Sequence, residues 1–266
     1  MPRAGRSGSS RSPIWCGEVD ARRKGLASPI LWVGLLFAVL LLRMDALRPF
    51  FRWAFPGVEP VIYDRASFLE LFIAHLQLVA AASLAASVAG VSLAVFVTRP
   101  AGRDFRTMVD ALAAVGQTFP PVAVLAIAVP LIGFGARPTV IGLFIYGLLP
   151  IIENAVAGLE GVPYAVREAA DGMGLSPWQR LGAVELPLAA PVILAGIRVS
   201  VTIAIGTATI GSTVGALTLG TPIFDGLVAS KLPFVIQGAV LVALFAILTD
   251  MLFGRLERWL RRGAAG

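Results

Sequence analysis

The sequence predicts an all-α integral membrane protein with about six transmembrane helices, and three observations carry that prediction. Of 266 residues, 57% are hydrophobic and only 14% charged, whereas a soluble domain is nearer half apolar and a quarter charged. The apolar residues gather into six segments, about 26–42, 68–97, 108–133, 139–158, 188–210 and 235–253. A hydrocarbon core of about 30 Å needs roughly 20 such residues as helix, and lipid offers the backbone no partner but itself. The basic residues are also uneven. With the N-terminus placed inside, the inside segments hold 15 Lys and Arg and the outside segments 6. The positive-inside rule then puts both termini in the cytoplasm and the chain in the cytoplasmic (inner) membrane as a multi-pass protein.

Residues 1–25 are rich in Arg, Ser and Gly. They lack the short apolar core and small-residue cleavage site of a secretory signal. They read as a basic, disordered cytoplasmic tail ahead of a transmembrane domain spanning 26–266. The tail carries Cys16, the only cysteine, and His75 is the only histidine. No disulfide within the chain, no metal site and no Cys-His or Ser-His-Asp nucleophile is therefore expected. His75, at the outer end of the second segment, is expected to pack or hydrogen-bond at the membrane interface. The second segment is long enough to tilt or protrude from the bilayer.

Polar groups inside a span are costly and are usually placed for a reason. Glu153, Arg198 and Asp250 fall in the inner half of spans four, five and six, and a charge network is expected in which Arg198 pairs with Glu153 or Asp250. Gln117, Thr118 and Asn154 are the best polar candidates for lining a translocation path. Pro120-Pro121, Pro130 and Pro150 could break helices. Gly206, Ala208, Gly211, Ser212 and Gly215 give span five a small-residue face, read either as an interface or gate or as ordinary packing within the chain.

Residues 159–187 form the longest inside loop. Pro163 can begin a helix at its first position, and Ala165, Glu168, Ala169 and Gly172 follow on one face. Gly172 and Gly174 break that helix. Ser176 then reads as an N-cap, with Pro177 first in a second helix and Gln179 completing a capping box. Leu186–Pro187 is expected to end the second helix and turn the chain back toward the membrane.

Glu168-Ala169-Ala170, three residues, Gly174, nine residues and Val184-Glu185-Leu186-Pro187 together resemble the EAA loop of ABC importer permeases with the type I, MetI-like fold. Only Val184 replaces the usual Ile. The resemblance implies that Ala165, Glu168, Ala169, Ala170, Gly172, Gly174, Leu186 and Pro187 form the contact with an ABC ATPase subunit. The phosphate-binding pattern G-x-x-x-x-G-K-[ST] does not occur in this chain. The expectation is a non-catalytic subunit with no cofactor of its own, ATP being bound by the partner. Segments 116–135, 148–159, 168–174, 185–198 and 215–227 are similar to the osmoprotectant branch, which imports glycine betaine, choline and related compounds. That branch implies a second permease copy or paralogue and an extracytoplasmic substrate-binding protein, in a setting of membrane lipid. Nucleic acid is not an expected partner, because the basic residues never form one surface. Two departures bear on the substrate: Gly215-Ala-Leu-Thr-Leu-Gly220 stands where the branch often reads GAGGLG, and Glu153 stands where it often has Arg. The alternatives are a permease for another small solute, a secondary transporter, or a membrane scaffold.

Overall fold

The computed structural model describes residues 27–263, all of whose regular elements are helical; the basic tail and Cys16 lie outside the described residues. Helix α1 (Ala27–Arg43) passes through a 3₁₀ turn (Met44–Leu47) into α2 (Arg48–Ala54). There follow α3 (Phe68–Thr98), α4 (Arg106–Thr118), α5 (Pro121–Ile132) and α6 (Ala136–Glu160). The short helices α7 (Tyr164–Gly172) and α8 (Pro177–Arg180) lead through a π turn (Leu181–Glu185) into α9 (Leu186–Ala208). A 3₁₀ segment (Thr209–Val214), α10 (Thr221–Val228) and α11 (Leu232–Gly263) complete the described chain.

Five helices are long and apolar enough to cross a membrane. Local signals start and stop them. The Ser67 hydroxyl accepts from the Glu70 N–H at 3.1 Å and caps α3, satisfying a donor the helix cannot satisfy itself. At 31 residues, α3 is about 46 Å long at 1.5 Å per residue, longer than a hydrocarbon core.

The expected third span is not one helix. Segments 103–118 and 121–132 are bent by 94° at Pro120-Pro121. Proline disfavours helical backbone in the residue before it and removes an N–H, so the pair stops α4 at Thr118. The bent pair still traverses the bundle. At its start Arg106 pairs with Glu160, the last residue of α6, and at its end only Gly133, Phe134 and Gly135 separate α5 from the first residue of α6. Counted as one span, the bent pair brings the candidate crossings to six. Pro130 and Pro150 sit inside continuous helices.

Helix α6 is the centre of the bundle and packs most extensively against α3 and α9. Two cores result. One joins α1, α3, α9 and α11 through Phe37, Leu71, Ile205, Leu241 and Phe245. The other, at the end that carries α7 and α8, joins Ala94, Val97, Ile152, Leu159, Leu181 and Ile193. At the opposite end the 55–67 connection is strapped down. Gln237, fully buried on α11, accepts from the Tyr63 N–H at 3.1 Å and donates to the Val61 carbonyl at 2.6 Å. The Tyr63 hydroxyl donates to Asp225 at 3.0 Å, and burial followed by that carboxylate raises its pKa. Leu31, Trp32, Leu35 and Leu42 on α1, and Ile127 and Leu131 on α5, are exposed. A protein surface this apolar belongs against lipid or another subunit.

Candidate functional site

The loop 159–187 is built almost wholly from local chemistry. Helix α7 ends as Gly174 takes φ +79°, a region where a side chain on Cβ is strained. The turn returns the Met173 N–H to Ala169 O at 3.0 Å and the Leu175 N–H to Ala170 O at 3.2 Å, satisfying the last carbonyls of the helix. At Ser176 both halves of the capping box form. The Gln179 N–H donates to Ser176 Oγ at 3.4 Å and the Ser176 N–H donates to Gln179 Oε1 at 2.8 Å.

Ala165, Glu168, Ala169 and Gly172 are all exposed on α7. A Cβ added at Gly172 would meet nothing within 4 Å, so nothing in this chain requires glycine there. Ala170 differs. It is 1% exposed and faces inward, so its methyl is not on the exposed face of α7. A second correction concerns Leu186–Pro187, which does not end a helix. The chain from α8 runs through the π turn into α9, and Pro187 sits in the first turn of α9. The Leu186 N–H donates to Leu181 O. That wider turn gives the proline ring room where an α turn would clash.

Four charged residues lock this loop to the bundle. Arg180 Nη1 donates to both oxygens of Asp171 at 2.6 and 2.5 Å, and its Nε donates to Glu185 Oε1 at 3.0 Å. Arg99, which closes α3, donates to the other oxygen of Glu185. Glu185 is 3% exposed. Sequence reasoning missed the pairing of Asp171, Arg180 and Glu185. It missed Arg99 altogether, because 86 positions separate it from Glu185.

The charge network in the spans is narrower than expected. Arg198 on α9 forms a two-point pair with Asp250 on α11, and Glu257 lies 3.5 Å from its Nη1. Asp250, Gly254 and Glu257 share one face of α11, and an added Cβ at Gly254 would stand 3.3 Å from the guanidinium. Glu153 is exposed and makes no ion pair among the described residues. Of the two acids expected to pair with Arg198, the partner is Asp250 and not Glu153, which corrects the place of Glu153 in the network.

The polar path candidates are not gathered at one surface. Gln117 donates to the Tyr146 carbonyl at 2.9 Å. That carbonyl lies four residues before Pro150, whose missing N–H would otherwise have been its helical donor. Asn154 donates back to Pro150 O at 2.8 Å, and Thr118 to Val115 O at 2.8 Å. These side chains are thus engaged with backbone. His75 is fully buried, and it both packs and hydrogen-bonds, as expected. Its Nδ1 accepts from the Leu219 N–H at 3.2 Å, and its ring meets the Phe245 edge at 5.7 Å. Of the small-residue face on span five, Gly211 lies against Thr139 of α6, where a Cβ would stand 2.5 Å away, while Gly206 faces open space. Packing within the chain accounts for Gly211.

Residues 86–262, which include both short helices and the bent pair, match the family described as binding-protein-dependent transport system inner membrane component. The chain belongs to this family. It is 40% identical over 222 residues to the osmoprotectant import permease protein OsmY of Salmonella typhimurium, covering 82% of this chain and 92% of the relative. It is 38% identical over 193 residues to the carnitine transport permease protein OpuCD of Listeria monocytogenes, covering 72% and 86%. The fold matches a chain of the MetNI methionine ABC transporter, in inward-facing conformations, with a TM-score of 0.65 at 21% identity, over 72% of this chain and 95% of that one. The expected MetI-like permease fold is therefore the fold observed. As a permease of this family, the chain is a multi-pass membrane component of a binding-protein-dependent transport system.

Proposed function

We propose that this permease is the membrane-spanning subunit of an ATP-driven importer of quaternary ammonium osmoprotectants such as glycine betaine or choline. Its spans form the translocation pathway, and its loop 159–187 couples that pathway to an ATPase. The observation that carries the coupling role is the exposed face of Ala165, Glu168, Ala169 and Gly172 on α7. It is small, so a cleft can close around it, and it is held rigidly by Gly174, the capping box and the Asp171–Arg180–Glu185–Arg99 chain. The osmoprotectant and carnitine relatives support the substrate class.

In this reading the loop lies in the cytosol with both termini, and the membrane is the cytoplasmic one. ATP is bound by the partner, and this chain holds no cofactor and performs no catalysis. The strapped end formed by residues 55–67 and α10 faces the substrate-binding protein. The exposed apolar side of α5 faces the second permease, an identical copy or a paralogue, or lipid.

The test is retention of the ATPase in pull-downs, with uptake of labelled glycine betaine. Ala169→Trp and Glu168→Lys should insert at parental levels, lose the ATPase or retain it without transport, and leave the spans unchanged. If both retain the partner and transport like the parent, α7 is not the coupling element.

A further inference from the structure

The geometry points to Glu185 as a positioning residue that makes α3 follow the coupling loop, so that movement of α7 and α8 reaches α3 as well as α6 and α9, the two spans the loop continues into. The inference rests on the coupling role proposed above. Covalently, the loop continues only into α6 and α9. Among the described residues its charged link to α3 is the Glu185 carboxylate, whose two oxygens accept from different guanidiniums, Arg180 from the loop and Arg99 from the end of α3. Arg180 is in turn gripped through both oxygens of Asp171, at the last turn of α7. The four residues alternate in sign and sum to zero, so each buried charge is compensated by its neighbours.

This arrangement has two mechanical consequences. Helix α7 packs only lightly on the rest of the chain, against α8 and the π turn, so its orientation depends on the Asp171–Arg180 grip. Helix α3 packs broadly on α6. A force on the loop that passes through Glu185 to Arg99 therefore reaches the centre of the bundle from the α3 side as well as through α9. Without the carboxylate, Arg99 loses the anion that ties it to the loop while Arg180 keeps Asp171, so the link between α3 and the loop is broken. Glu185 is nearly inaccessible and does not share the exposed face of α7, so its role is distinct from contact with the ATPase.

The experiment uses the assembled complex with its ATPase and binding protein in proteoliposomes, with labelled glycine betaine as probe. The variants are Glu185→Gln, Arg99→Gln and Arg99→Lys. The first readout is ATP hydrolysed per betaine imported. The second is the distance between spin labels at Arg103, beyond the end of α3, and Met173, at the end of α7, in nucleotide-free and vanadate-trapped states. In the parent that distance should hold between states. In Arg99→Gln and Glu185→Gln it should change between states, and ATP consumed per betaine should rise on the order of tenfold, within the range for coupled sites, while the ATPase stays bound. Arg99→Lys, which keeps the cation, should restore most of the coupling. Unchanged coupling and unchanged distances in assembled variants would overturn the inference. Failure of both glutamine variants to assemble, or loss of the ATPase from them alone, would make the link a folding or docking strut and overturn it equally. If the parent itself does not retain an ATPase, the coupling role of the loop fails instead, which is a separate result.

Discussion

Arg198 and Asp250 meet at two points, Nε to one carboxylate oxygen at 2.6 Å and Nη2 to the other at 2.7 Å. Two parallel N–H···O bonds hold the planar guanidinium and the planar carboxylate in one plane, so α9 and α11 are pinned in rotation as well as in distance. Gly254 allows it by leaving room for the guanidinium against α11.

Arg198→Ala should therefore lower the yield and thermal midpoint of the purified complex. The Asp250 side chain is 41% exposed, so the cost should be about 1–3 kcal/mol, below the roughly 3–5 kcal/mol of a fully buried pair. Asp250→Asn in the same background should restore part of the loss, leaving Glu257 as the remaining anion. Glu153→Gln should be silent. A stable, active Arg198→Ala complex would remove the pair from any structural role.

Gln117 and Pro150 should be coupled. Gln117→Ala leaves the Tyr146 carbonyl without the donor that replaces the proline's missing N–H, a loss of about 1–3 kcal/mol for a buried acceptor. Pro150→Ala returns an N–H to that carbonyl. The cost of Gln117→Ala should then shrink in the Pro150→Ala background. Thermal unfolding of the four proteins in a double-mutant cycle measures the coupling, and additive effects would show that the Gln117 bond does not answer the proline.

Gly174→Val should strain the turn by about 1–3 kcal/mol, because the φ of +79° has to be held by a β-branched residue although the space around it is empty. The expected product inserts normally but misdirects α8, with loss of the ATPase in a pull-down. Gly172→Ala is the control. It has helical backbone and open space, so α7 should gain about 0.5–1 kcal/mol, and any loss of partner binding would then report the docked face itself.

Six spans, with the bent pair counted as one, place both termini on one side of the membrane. With the basic residues arranged 15 to 6, that side should be the cytosol. Reporter fusions at the two termini should both be active only in the cytosol. Activity of one terminus on each side would show that α4 and α5 do not cross together.

What the sequence determined by itself was local. Six apolar segments, the Ser67 and Ser176 caps, the proline pair at 120–121 and the glycine at 174 each act within a few residues of chain, through hydrogen bonds and backbone sterics that need no distant partner. What only the tertiary structure decided depends on which way a helix is turned. Adjacent helical residues point about 100° apart, and composition cannot say which of two neighbours faces the bundle. Thus Ala169 is exposed while Ala170 is buried, and Arg198 meets Asp250 and leaves Glu153 outside. Likewise the proline pair announced a break, but its 94° bend and the return of the chain across the bundle follow from packing on α6. Glu185 is the extreme case. Arg180, five residues away, supplies one cation from within the loop, but its second partner Arg99 lies 86 residues earlier, and only the folding of the bundle brings that second cation to the buried carboxylate.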